Sequence, residues 1–212
     1  IEAEIASVIG SMNDNRIQGQ YVANPANDLS ILQIGTAVSS KWRALKNQMV
    51  VSLDGGLASG DSDYGFGIIG AGNTVAKKGD FAGPQSEDGN LHGFLFDRNY
   101  IIDMILWREI IGTFTDGLYV KPSLTYYFRN GIGLKSSLMY SRALFAKSTM
   151  GQDANLGVEG NFALFYATAN GFQADLNYGG LIPLAGLKNT LADEALEPSF
   201  THTLQLNLGI IF

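Results

Sequence analysis

The chain contains no cysteine in 212 residues. A disulfide framework and a thiolate metal site are therefore excluded. Histidine is scarce, with two copies, His92 and His202. A hydroxyl nucleophile needs a base held by a third group, and no Ser-His-Asp spacing here suggests one, so an enzyme is not expected. No apolar run approaches the ~20 residues that a membrane-spanning helix needs. Positive charge is in deficit, with 14 Lys and Arg against 20 Asp and Glu, a formal net charge of −6. That balance argues against a nucleic-acid partner.

What is present is alternation. From Phe200 the apolar residues fall on even positions: Phe200, Leu204, Leu206, Leu208, Ile210 and Phe212. Thr201, Thr203, Gln205 and Asn207 fall on odd ones. This is a period-2 strand with one apolar and one polar face. The same pattern recurs upstream over 172–184, 154–168, 131–145 and 117–128, and more noisily over 46–59, 29–40 and 1–12. The count is about eight strands. Chain composition agrees, because a strand that alternates hides its hydrophobicity from any running average, and 46% of the residues are hydrophobic.

The connections alternate in length. Asn130-Gly131 and Asn170-Gly171 are short hairpin signals, since both residues tolerate positive φ in a type I′ turn. Between them lie longer polar connections at 146–153 and 185–198. Short turns at one rim and long loops at the other are the pattern of membrane barrels. This parity also bears on 99–111, whose charges Asp103, Arg108 and Glu109 spoil a clean alternation. As a strand it breaks the parity of turns. As a helix, capped by Asp97 or Asn99 and ended by Gly112, it restores that parity. The expectation is one long excursion over 60–116 carrying a buried, mostly apolar helix at about 99–111.

A terminal aromatic closing an alternating strand resembles the C-terminal signature of bacterial outer-membrane β-barrels. Three segments extend the likeness: Phe96-Asp97-Arg98-Asn99-Tyr100-Ile101-Ile102-Asp103, Trp107-Arg108-Glu109-Ile110-Ile111-Gly112-Thr113 and Tyr119-Val120-Lys121-Pro122. Leu156-Gly157-Val158-Glu159, Gly171-Phe172, Tyr178-Gly179 and Pro183 fit with them. Together they resemble an uncharacterised family of porin-like outer-membrane barrel proteins of myxobacteria and their relatives, over roughly residues 50–212. That family is similar in style to alginate-export porins. The resemblance implies an all-β, transmembrane antiparallel barrel, with the inserted 60–116 loop on the extracellular side. It implies a lipid bilayer and lipopolysaccharide as surroundings, in a bacterial outer membrane. Family members are about twice as long, so the chain is expected to be a C-terminal half. Ile1-Glu2-Ala3-Glu4-Ile5 already alternates, which agrees with a start inside a strand. Eight strands make either one small closed barrel or part of a larger one completed by other strands or another chain. A large inserted loop favours the larger barrel, because side chains already fill an eight-stranded lumen.

The candidate functional residues lie on the polar face. Asp54, Glu159 and Asp175, with Glu2 and Glu4, stand against Lys121 and Lys135, and Gln205 adds an amide. Lining a water-filled pore, they give a mildly acidic wall that favours cations or neutral solutes. The plain alternative is that these charges pair across strands. Asp103, Arg108 and Glu109 form either a constriction or an anchor that ties the inserted helix to the wall, with the anchor favoured. Asp61 and Asp63, with Glu87 and Asp88 further on, offer hard oxygen ligands of the kind Ca²⁺ takes, set against an ordinary solvated acidic loop. No other cofactor is expected. The function expected is a porin-like channel for small or polar solutes. A structural or adhesive barrel that displays loops or scaffolds partner proteins is the alternative. A soluble sandwich is the third reading, and it requires the apolar face to be packed inward.

Overall fold

The computed structural model of the protein describes residues 1–12, 29–61, 90–188 and 197–210. Its long strands are β1 (Glu2–Met12), β2 (Leu29–Ala44), β3 (Met49–Ala58), β5 (Gly117–Tyr127), β6 (Ile132–Ala143), β7 (Asn155–Ala167), β8 (Phe172–Pro183) and β9 (Thr201–Ile210). A two-residue strand, β4 (Asn90–Leu91), pairs parallel with Ser30 and Ile31 of β2. The eight long strands form a single antiparallel meander in the order β1-β2-β3-β5-β6-β7-β8-β9. All eight strands expected from alternation are present. The described sheet ends at β1 and β9, which do not pair with each other. The terminal Phe212 lies outside the described residues.

The register puts like with like. One row crosses the sheet as Glu2, Ser39, Asp54, Lys121, Met139, Glu159, Leu181 and Thr201. Two residues further along the strands run Ser52, Ser123, Ser137, Asn161, Gly179 and Thr203. These rows share the polar face. The residues between them point the other way, and there the large apolar side chains are exposed: Val120 at 46%, Leu138 at 55%, Phe162 at 53% and Leu206 at 64%. Aromatic pairs flank this apolar field, with Tyr126 against Phe128 and Tyr166 against Phe172 near one rim. His202 stacks between Tyr178 and Phe200 toward the other.

The short connections 45–48, 128–131 and 168–171 lie on one rim, and the longer ones, 59–116 among them, on the other. The turn chemistry differs from the type I′ expectation. Asn130 and Gly131 both take positive φ (68° and 80°), but within a three-residue loop that also includes Arg129. At Asn170-Gly171 only Gly171 does so (φ 84°). There Gly171 N–H donates to Thr168 O, a four-residue turn that ends on the left-handed glycine. β2 runs on to Ala44, past the expected end at residue 40. Its hairpin is closed by Leu45, Lys46 and Asn47, all at positive φ. A left-handed backbone costs roughly 1–2 kcal/mol per residue with a Cβ.

The expected helix over 99–111 is mostly absent. Only Leu106–Ile111 is helical, as a single π-type turn ended by Gly112 in the left-handed conformation. Residues 99–105 are irregular. The core nevertheless forms here. Ile102, Ile105, Leu106, Trp107 and Phe114 of the inserted segment pack with Tyr119, Met139, Leu156 and Leu181, which the strands present on their polar face.

Candidate functional site

Irregular backbone against a sheet must find partners for its N–H groups, because an unpaired buried donor costs about 1–3 kcal/mol. Here two carboxylates supply them. Glu159, fully buried on β7, accepts from Met104 N–H through Oε1 (2.8 Å) and from Leu106 N–H through Oε2 (2.9 Å). Asp103 accepts from Trp107 N–H (2.7 Å) and Arg108 N–H (3.1 Å). Both acids thus hold the entrance of the π-type turn, where donors are free and the local dipole favours negative charge. Lys121 Nζ donates to Ile102 O on the same segment. Pro122 lacks an N–H, and the β5–β6 pairing skips Lys121 and Pro122 between Val120 and Ser123.

Aromatic contacts complete the anchor. Trp107 is 2% exposed and donates its Nε1–H to Ser141 Oγ (2.9 Å). Its ring packs edge-on to Phe114 (4.9 Å, 89°), which packs edge-on to Tyr119 (5.1 Å, 82°). The Tyr119 and Tyr100 hydroxyls share a 2.6 Å hydrogen bond. Glycine at 117 is required, because a Cβ there would meet the Trp107 ring at 2.9 Å.

A third buried acid fixes the end of the segment. Asp116 (φ 41°) accepts from Ser148 Oγ, and its main-chain carbonyl accepts from Leu144 N–H (3.1 Å). A Cβ on Gly60 would fall 1.9 Å from Asp116 Oδ1, so both ends of the 59–116 connection meet the β6–β7 connection at one point. Burial raises the carboxyls of both Asp116 and Asp103 to about 7, and the Glu159 charge adds to the effect at Asp103.

The segment divides the polar face into two open clefts. One, of about 420 Å³, is lined by Glu2, Glu4, Ser39, Asp54, Tyr100 and Lys121, among others. The other, of about 300 Å³, is lined by Arg108, Lys135, Asn161, Asn177, Gln205 and Asn207, among others. Ile101, Ile102 and Lys121 border both.

The sequence-derived residues therefore separate into groups. Glu159, Lys121 and Asp103 are brought together beneath the segment. Asp54 lies in the first cleft and accepts from Ser39 Oγ (2.6 Å). Lys135 and Gln205 lie in the second. Asp175 sits level with Asn207 and lines neither cleft. Arg108 and Glu109 form an exposed pair at 3.6 Å. His92 ties the segment to β2, with Nδ1 3.1 Å from Leu32 O, while Asp88 beside it in sequence lies outside the described residues. So do Asp63 and Glu87 of the Ca²⁺ candidate, and among the described residues no acidic or histidine group is arranged to hold a metal. The Trp107–Ser141 and Asp116–Ser148 links were missed by sequence reasoning, and no local pattern marks either.

No protein-family model matches the chain, and no curated protein or solved structure gives a significant match. The resemblance to porin-like barrels of myxobacteria rests on the quoted residues alone.

Proposed function

We propose that this sheet is the wall, or part of the wall, of a bacterial outer-membrane β-barrel that acts as a porin-like channel, with the inserted segment narrowing its lumen. The observation that carries the reading is the arrangement of the two faces. Large apolar side chains are exposed on one face of β1 to β9, while the polar face holds the charges and the packed segment. Water penalises that arrangement and lipid rewards it. Dimensions agree. From Ile132 to Tyr140 the outward field covers nine residues of β6, against the ~9–11 residues of a tilted membrane-crossing strand.

Among the described residues β1 and β9 each have one unpaired edge, which bears on the same reading. An open edge in hydrocarbon leaves backbone groups unsatisfied at several kcal/mol each. Further strands, from a longer chain or a second one, complete the wall. The second reading, a structural or adhesive barrel that displays its long-rim loops, is favoured by the dense packing of Trp107, Phe114 and Tyr119 within the polar face. Planar-bilayer recording separates the two. Stable single-channel steps from folded, full-length protein are expected for a channel. A folded protein that inserts without conducting supports the display reading instead.

A further inference from the structure

The two clefts differ in charge, and the difference specifies a solute class. This inference rests on the channel reading. The first cleft carries Glu2, Glu4 and Asp54 against Lys41 and Lys121. The second carries Arg108, Lys121 and Lys135 against Asp103. Not all of these charges are free. Both oxygens of Asp103 are engaged by backbone N–H groups, and Lys121 is engaged by Ile102 O. Lys135 is exposed and has no hydrogen-bond or ion-pair partner among the described residues. Arg108 reaches only Glu109, at 3.6 Å and largely in solvent, a pairing that water screens.

The rest of the second cleft is amide. Asn161, Asn177, Gln205 and Asn207 come from three successive strands. Each side chain can donate and accept, which suits hydroxyl groups losing their hydration. Asn161 Oδ1 is buried without a partner. Ile101, Ile102 and Met104 give this cleft a short apolar wall on the segment side.

We propose that the cleft between the inserted segment and β6–β9 is the solute lane, and that it selects small organic anions carrying hydroxyl groups. Arg108 and Lys135 attract the anionic group. The four amides replace the water around the hydroxyls. The acidic first cleft repels the same solutes and leaves them one route. This reverses the bias toward cations that the total count of charges suggests, because the acids and bases are sorted to opposite sides of the segment and the buried acids are spent on backbone.

The test is the reversal potential of the full-length protein in a planar bilayer under a potassium chloride gradient, with potassium gluconate as the hydroxyl-bearing probe. Wild type is expected to be anion-selective, with chloride current blocked saturably by gluconate. The double variant Arg108→Glu with Lys135→Glu is expected to shift the anion-to-cation permeability ratio by on the order of tenfold and to lose the block. The milder Arg108→Gln with Lys135→Gln shifts it in the same direction by less. Lys147→Gln, an exposed cation that lines neither cleft, leaves the gluconate block unchanged. A channel that conducts but prefers cations, or whose selectivity ignores Arg108 and Lys135, overturns this inference and leaves the channel standing. A folded protein that never conducts overturns the channel reading and this inference with it.

Discussion

On one face of β5 to β9, Leu124, Leu138, Phe162, Leu176 and Leu206 are all exposed. On the opposite face of the same strands, Tyr119, Met139, Glu159 and Leu181 are buried. The comparison inverts the usual division, in which apolar residues are hidden and charges exposed. Among the described residues, burial on the polar face is not supplied by a second sheet. It is supplied by residues 94–116, which the sheet holds through Glu159, Lys121, Ser141 and a bed of small or aromatic residues. The two faces therefore have different grammars. The outward face needs only bulk and alternation, whereas the polar face needs specific partners.

That contrast sets the order of expected effects. Phe162→Arg, level with Ser136 at the middle of the outward field, should destabilise the protein by about 2–4 kcal/mol. Ser137→Arg, in the neighbouring polar row, should cost far less. Denaturant titration in lipid vesicles compares the pair directly, and equal costs would erase the distinction between the faces. Glu159→Gln should come next, because Met104 and Leu106 N–H lose a charged acceptor, at about 1–3 kcal/mol. Amide hydrogen exchange should then speed up over 104–108 while β5 to β8 stay protected.

A smaller effect comes from pH. The Asp103 carboxyl sits at about 7 instead of the usual 3.8, chiefly through burial. The docked segment thus binds a proton that the released segment does not. Docking is firmest below about pH 4 and is lost progressively as pH rises through 7. Exchange over 103–108, corrected for intrinsic rates, should increase between pH 5 and 8, and Asp103→Asn should flatten the profile. The smallest effect is expected at the β2–β3 hairpin. Lys46→Gly relieves a left-handed residue and should stabilise by up to about 1 kcal/mol, read in the same denaturant titration.

The difference in grammar also explains what the sequence made legible. The eight strands follow from alternation, which is a local property. β2 extends four residues beyond the alternation expected over 29–40, through Lys41, Trp42 and Arg43 to Ala44. In the structure Trp42 faces outward with its apolar neighbours. The helix over 99–111 was overextended for the opposite reason. Its apolar residues and Gly112 give a helical outline, but Tyr100 and Ile101 N–H close short turns, and Asn99 and Met104 N–H donate to the side chains of Asp97 and Glu159. Glu159, which accepts from Met104 and Leu106 N–H, lies 55 and 53 residues away from them. No spacing rule finds that pairing. Glu159 and Lys121 looked like pore-lining charges because they lie on the polar face, and the inserted segment uses both.

The two tryptophans test the central claim most directly, since Trp42 is 53% exposed on the outward face and Trp107 is 2% exposed where the inserted segment packs on the polar face. In vesicles made with lipids brominated on their acyl chains, a Trp107→Phe variant should show strong quenching of the remaining Trp42 and little quenching by aqueous acrylamide. A Trp42→Phe variant should leave Trp107 insensitive to both quenchers. Trp42 quenched by acrylamide and untouched by brominated lipid would contradict a lipid-facing wall.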